Sequence, residues 1–424
     1  MPRQHRARRG LNRRPRLAGW GVPLYTLAAF GAHLAYAPLL ALLLPRRIVA
    51  IAPDRAAAIT SLVMLVGAIT ASFAYIGAGW ISDSWRRRHS NRRGPIALGL
   101  VLTVLALTEL GLARDIRAIA AGLVGFQLAF NLMFAPLGAV LVDHFADAAK
   151  GHVAALVNLA APLAALGTGA VALTFVHDGV MPFVAVAALV GLSVLPLVVV
   201  WPFEQTVLAA TAAPVAPADA ARHHPTGAAP RWPDWLRVGL ARLLMQGGAA
   251  FVMTYFYLFL VRHPARAGVL PGQSVDQVYG RLVVATTVVV LMVTVAAGRW
   301  SDRQGRRRAP MMIAALVAGC ALALLQVGSG WVLLAGYGLF QVGLIAYLAL
   351  DTALVAQFLG SSARPGEMLG YFNLANTLPS IIVPALVLAL AHGSTDAIWA
   401  PGFAATALAG ALAMVLVARI RTVA

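Results

Sequence analysis

Four kinds of residue or motif are scarce in this 424-residue chain, and each scarcity excludes something. Cys320 is the only cysteine, so no intramolecular disulfide can form. It lies inside an apolar run and reads as a small core residue. Lys150 is the only lysine, a sign of coding bias rather than of lysine-based chemistry. Charged residues make up 11% of the chain against 60% hydrophobic ones, far too few for a soluble protein of this length. There is no metal-ligand cluster, no Gly-rich phosphate loop before a Lys-Ser or Lys-Thr, and no nucleophile elbow. His223-His224 is too isolated to argue a metal site. No enzymatic activity, cofactor or metal is therefore expected.

Apolar runs of about 20 residues recur instead, each long enough to cross a roughly 30 Å hydrocarbon core. Hydropathy places twelve spans near 19–44, 57–82, 95–113, 117–142, 152–176, 180–201, 235–261, 275–298, 309–327, 331–358, 367–391 and 397–418. The net charge of +18 would suit nucleic acid, but the arginines cluster in short segments beside apolar runs. That pattern marks topology anchors facing anionic lipid, so the bilayer is the expected partner and nucleic acid is not. Residues 1–18 form a basic tail before an apolar run that is too long for a secretory signal, hence an uncleaved first membrane helix. Residues 202–233, rich in Ala and Pro, read as a linker between six-helix halves at 19–201 and 234–419, with 420–424 as a tail. Most of the 33 Lys and Arg fall inside if both termini are cytoplasmic. The first external loop, with Arg46, Arg47 and Arg55, runs against that trend.

The halves repeat. Gly79-Trp80-Ile81-Ser82-Asp83 with Arg86, Arg87 and Arg88 returns as Gly298-Arg299-Trp300-Ser301-Asp302-Arg303-Gln304-Gly305-Arg306-Arg307-Arg308. Each copy sets a helix-packing glycine one turn before Ser-Asp, then guanidiniums where the chain leaves the apolar run. Arg93-Gly94-Pro95 corresponds to Arg308-Ala309-Pro310, and Gly151 with Asn158-Leu159-Ala160 to Gly366 with Asn373-Leu374-Ala375. Three matches in order imply parallel halves related by an axis along the membrane normal. The expected fold is an all-α membrane protein: twelve transmembrane helices in two pseudo-symmetric six-helix bundles.

On these motifs, the twelve spans and the Pro-rich linker, the chain resembles the major facilitator superfamily over about residues 20–420. The second loop copy matches the family pattern from Gly298 to Arg307; the first departs at Ser84 and Arg86. Asp351, Gly366, Glu367, Leu369-Gly370, Asn373-Leu374-Ala375 and Leu378-Pro379 are similar to helices ten and eleven of sugar–proton symporters of the sucrose and glycoside–pentoside–hexuronide type. Pro136, Asp143, Gly151 and Asn158 resemble the matching N-terminal segment. The second helix lacks the carboxylate that cation-coupled glycoside carriers place before Asp83. The first lacks the glutamines of sucrose carriers.

The resemblance implies a cytoplasmic gate, with Asp83 facing the start of helix eleven near Gly366 and Asp302 that of helix five near Gly151. Carboxylates suit such a place because a helix N-terminus offers free N–H groups and a positive dipole end. Gly79, Arg87, Gly298, Arg303, Arg306 and Arg307 belong to the same gate. The alternative is a plain topology anchor.

Asp351 lies well inside the tenth span, where an acid must face a cavity or a partner, and Tyr347 sits one turn earlier on its face. A protonatable coupling carboxylate is one reading; a structural hydrogen bond is the other. His33 shares a stripe with Tyr25, Ala29 and Tyr36, as a proton carrier, a substrate ligand or a core histidine. Gln127 and Asn131 are one turn apart on helix four, which in the family lines the central cavity. Asn158, Asn373 and Asn376 read as helix-packing amides or a polar path. Arg281 reads as snorkelling, and Arg242 with Gln246 face the same choice between snorkelling and internal pairing. The expected protein is a monomeric secondary active transporter of the inner membrane working by alternating access. Proton symport of a small polar solute, such as a sugar or glycoside, is favoured. Export of amphipathic compounds and a non-transporting assembly role are the alternatives.

Overall fold

The computed structural model describes residues 20–145, 147–177, 179–201, 232–304, 308–360, 372–391 and 395–420. Twelve helices in it are long and apolar enough to cross a membrane, and the described residues contain no strand. They are α1 (Gly21–Ile51), α2 (Pro53–His89), α3 (Arg93–Leu112), α4 (Ile116–His144), α5 (His152–Thr174), α6 (Met181–Val200), α7 (Trp232–Arg262), α8 (Val275–Val293), α9 (Arg308–Val327), α10 (Trp331–Val355), α11 (Phe372–Leu390) and α12 (Asp396–Ala418). The helix of α8 continues to Gln304 and that of α10 to Gly360. These bounds reproduce the hydropathy reading to within seven residues, the largest differences being at the ends of α1 and α2. Consecutive helices alternate direction, so one face carries the Arg86–Arg93 turn (the basic face) and the opposite, far face carries the end of α1.

Packing sorts the helices into two sets. Helix α3 lies against α4 and α6, α1 against α5 and α6, and α2 against α4; in the second half α9 lies against α10 and α12, α7 against α12, and α8 against α10. The sets meet where α5 packs on α8 and α2 on α11. Small residues allow the close crossings: a Cβ on Gly99 would fall 2.4 Å from the Met133 backbone nitrogen, and one on Gly343 2.7 Å from that of Ala318.

Arginines close the helix ends. The last carbonyls of a helix have no partner within it, and guanidiniums supply one. Arg47 donates through Nε and Nη2 to the Ala113 carbonyl at the far end of α3 (3.0 and 2.6 Å). Arg46 donates to the Phe175 carbonyl just past α5 (2.6 Å). Arg266 serves Leu325, Gln326 and Gly328 beyond α9. On the basic face, Arg93 donates to the Trp201 carbonyl after α6 (2.8 Å), and Arg308 to that of Ala418 at the end of α12. The repeat of Arg93 in Arg308 thus has a structural cause: each ties the first turn of a bundle's third helix to the end of its sixth. The same contacts explain why Arg46 and Arg47 ran against the charge trend, because both face helix ends.

Two details differ from the sequence reading. Cys320 is exposed, not a core residue. Helix α1 is not α-helical throughout: Leu39–Leu43 form a π-helical turn directly after Pro38. Proline has no N–H for the Leu34 carbonyl, and a π turn is a known accommodation of that break.

Replacing Arg47 with Ala removes two charge-assisted bonds and should cost about 1.5–3 kcal/mol. The thermal midpoint of the purified protein is expected to fall clearly, and Arg47→Lys, which cannot present two donors in one plane, to restore only part of it.

Candidate functional site

Polar side chains from both sets gather midway along the helices. At 1.5 Å per residue, His33 on α1 and Gln246 on α7 each lie roughly 20 Å from the basic end of their helix.

On the first half, α4 presents Phe126, Phe130 and Phe134 as a stacked ladder at one-turn intervals. Tyr36 stacks on Phe130 with ring centres 5.7 Å apart, and His33 meets Phe134 edge-on at 6.0 Å. Tyr36 is 41% exposed despite that stack. His33 is half-buried, with Nδ1 2.9 Å from the Ala29 carbonyl. A carbonyl oxygen only accepts, so Nδ1 is the donor in that contact. Gln127 and Asn131 are buried; the Asn131 amide donates to the Gln127 carbonyl at 2.8 Å, and Gln127 Oε1 has no partner. Tyr25 lies in the same stripe but is buried against Phe145.

On the second half, Arg242 of α7 reaches Asp351 of α10, with Nε 3.1 Å from Oδ2. The approach is close but out of line for a hydrogen bond, so attraction between charges holds the pair. Asp351 is wholly buried, whereas the Arg242 side chain keeps 12% of its surface exposed and lies 5.8 Å over the Phe372 ring. Tyr347 is wholly buried beside them, and its hydroxyl has no partner. One turn along α7, Gln246 donates to Asn376 of α11 (3.1 Å). The sequence singled out Asp351 but not the partner it would take; Arg242 at the matching depth was the available signal.

The described contacts between the sets concentrate on the far side of this polar level. Ser61 of α2 and Tyr255 of α7 are hydrogen-bonded at 2.8 Å. Gly169 of α5 and Gly280 of α8 touch backbone to backbone: a Cβ on either would lie 2.9–3.0 Å from the other's carbonyl oxygen. Arg46 stands 3.7 Å from Asp276, which also accepts from the Tyr257 hydroxyl at 2.8 Å. Toward the basic face, a Cβ on Gly79 would meet nothing within 4 Å, and Phe73, Ile76 and Trp80 are more than 70% exposed. Gly79, read as a helix-packing residue, therefore has no neighbour among the described residues.

The first loop motif folds on its own half. Asp83, exposed, accepts from Arg92 Nη1 (2.7 Å), which also donates to Ser82. Arg92 Nε and Arg86 both reach Asp143 at the end of α4 (2.7 and 2.9 Å). Arg87 bonds only the neighbouring Ser84 among the described contacts. Asn158 and Asn373 are exposed at the basic ends of α5 and α11. Gly298, Asp302 and Arg303 fall on the helical continuation of α8, but their surroundings, like Arg306, Arg307 and Gly366 entirely, lie outside the described residues. Among the described residues no group of three His, Cys, Asp or Glu could hold a metal.

No protein-family model matches the chain, and no curated protein matches it in sequence. Solved structures match its fold over nearly the whole length. A bacterial homolog of the human lysosomal transporter Spinster, inward-facing and occupied, aligns with a TM-score of 0.65 at 14% identity over 94% of both chains. A peptide transporter of the POT family in complex with alafosfalin aligns at 0.69 and 13% identity, over 94% of this chain and 93% of that one. A POT family transporter in complex with 5-aminolevulinic acid aligns at 0.67 and 12% identity over 94% of both. The chain shares the fold of these structures, which are transporters. At these identities the likeness extends to the fold and no further.

The Arg242–Asp351 pair makes a direct prediction. Removing one member of a buried pair strands the other, at up to about 3–5 kcal/mol, whereas removing both costs much less. Asp351→Asn and Arg242→Met should each lower the thermal midpoint, and the double variant by clearly less than the sum.

Proposed function

We propose that the protein is a secondary active transporter that works by alternating access and takes up a small polar solute together with protons. The observation that carries this reading is a set of polar and aromatic side chains, His33, Tyr36, Gln127, Gln246, Arg242 and Asn376, midway through twelve apolar helices, with the described contacts between the halves on the far side. A polar level in a bilayer is costly unless it meets water or cargo. The arginine distribution supports a cytoplasmic basic face with both termini inside, in the inner membrane. The protein then works as a monomer whose halves rock about this polar level.

The chemistry of these side chains suggests a class of cargo. Phe130 and Tyr36 offer flat apolar faces, and Gln127, Asn131, Gln246 and Asn376 offer paired donors and acceptors. A glycoside matches both: a ring for the aromatic wall and hydroxyls for the amides. The aromatic ladder also favours the second reading, export of an amphipathic compound.

Asp351 is the proposed proton carrier, with Arg242 holding the carboxylate and Tyr347 beside it; His33 is the second candidate. Asp83, with Gly79 and Arg87, and Asp302, with Gly298, Arg303, Arg306 and Arg307, are the proposed cytoplasmic gate. In the opposite state Asp83 would leave Arg92 for the start of α11, and Gly79 would pack against that same segment. Asn158 and Asn373, at the starts of the paired helices, would join that contact.

Thermal-shift measurement against sugars, organic acids and cationic drugs separates the readings. A bound ligand at 100 times its Kd stabilises by about 2.7 kcal/mol, a readily measured rise. Glycosides are expected to give it; stabilisation only by amphipathic drugs would favour export. With the solute that binds, Asp351→Asn in liposomes should lose accumulation driven by a proton gradient yet keep counterflow exchange. Normal accumulation in that variant would remove Asp351 from coupling.

A further inference from the structure

The seal on the far side contains a carboxylate that the coupling scheme above does not use. Asp276 opens α8, in the second half, and is 7% exposed. Arg46, from the first half, is 4% exposed and stands 3.7 Å from it, Nη1 to Oδ1. The same Nη1 donates to the Phe175 carbonyl, while Arg46 Nε and Nη2 are buried without a hydrogen-bond partner. The Tyr257 hydroxyl donates to Asp276 Oδ1, and Tyr257 meets Tyr279 edge-on at 5.5 Å. Among the described residues, the other groups facing this point are the exposed His177 beyond α5, and Tyr337 of α10, behind Tyr279. Arg46 is thus the one guanidinium described here that both caps a helix of its own half and faces a carboxylate of the other.

We infer that Asp276 is a proton-binding site that controls the far-side seal, with Arg46 as the group that responds. The reasoning is electrostatic. A guanidinium buried between two helix bundles is tolerated because a carboxylate opposes it. A proton on Asp276 cancels that charge and leaves Arg46 an uncompensated buried cation with two unused N–H groups. Arg46 belongs to one half and Asp276 to the other, so water reaches the stranded cation most directly when the halves part at this edge. Tyr257 stays bonded to the neutral acid and travels with its own half. Proton binding and far-side closure therefore oppose each other, and by linkage closure expels the proton to the same degree. Low pH opens the far side and high pH seals it. This deepens the proton-coupled reading above and rests on it, adding a second carboxylate at the opposite end of the path from Asp351.

Distance measurement between spin labels on the far face tests it without a known cargo. With Cys320→Ser as background, Arg114→Cys and Ser329→Cys place labels on exposed far-face loops of the two halves. In phosphatidylethanolamine–phosphatidylglycerol nanodiscs the parent is expected to show short distances at pH 8 and a shift to longer ones at pH 5. Asp276→Asn should give the long distribution at both values, Arg46→Gln should lose the pH dependence, and Asp276→Glu should keep it, which also verifies the fold. Asp351→Asn should leave the far-face response in place. A parent that does not respond to pH, or an Asp276→Asn variant that still does, overturns the inference. A response abolished by Asp351→Asn and kept by Asp276→Asn overturns it while leaving the transporter reading intact. A ligand screen without binders, alongside an Asp276-dependent opening, supports it and counts against solute uptake instead.

Discussion

A helix that ends inside or at the edge of a bilayer leaves carbonyls that lipid cannot satisfy, and in this chain guanidiniums answer them. Arg47 at α3, Arg46 at α5, Arg93 at α6 and Arg308 at α12 each reach across from a different helix, and Arg266 reaches α9 from the turn after α7. Each bond both completes a terminus and fixes the distance between two helices. The bundles owe their internal order to these staples as much as to packing, because apolar side chains gain little by leaving lipid for one another. Pairs of staples recur in the two halves: Arg47 and Arg266 serve the third helix of each, Arg93 and Arg308 the sixth.

With the ends fixed in this way, each half is tied together internally, and the two meet along a separate surface. There the far side has close glycines, a Ser61–Tyr255 bond and an Arg46–Asp276 pair, and among the described residues Gly79 near the basic side meets no neighbour. The polar level lies between these two ends.

Much of the fold was legible beforehand because hydrocarbon imposes one rule, and long apolar runs obey it. The twelve spans and the repeat could be read from hydropathy and from three short matches. The depth of Asp351 was legible too, since a lone acid in an apolar run stands out. What the sequence hid were partnerships. Arg242 pairs with Asp351, 109 residues away, and no local pattern announces that. Arg46 looked like a misplaced topology charge because its acceptors, Phe175 and Asp276, lie in other helices. Tyr25 and Tyr36 share a stripe, yet one is buried against Phe145 and the other borders open space, since α4 covers only part of α1. The two gate copies were the clearest sequence signal, and only the first can be compared: its Asp83 is held by Arg92 within its own half.

The wide turn at Leu39–Leu43 has a bearing on all of this. An α-helix advances about 100° per residue, so accommodating one surplus residue rotates everything beyond it by that angle. Straightened to a regular spiral, the outer third of α1 would swing Arg46 and Arg47 about a quarter of a revolution around the axis, away from the chain ends they now meet. A single proline thus sets the azimuth of two cations several residues downstream.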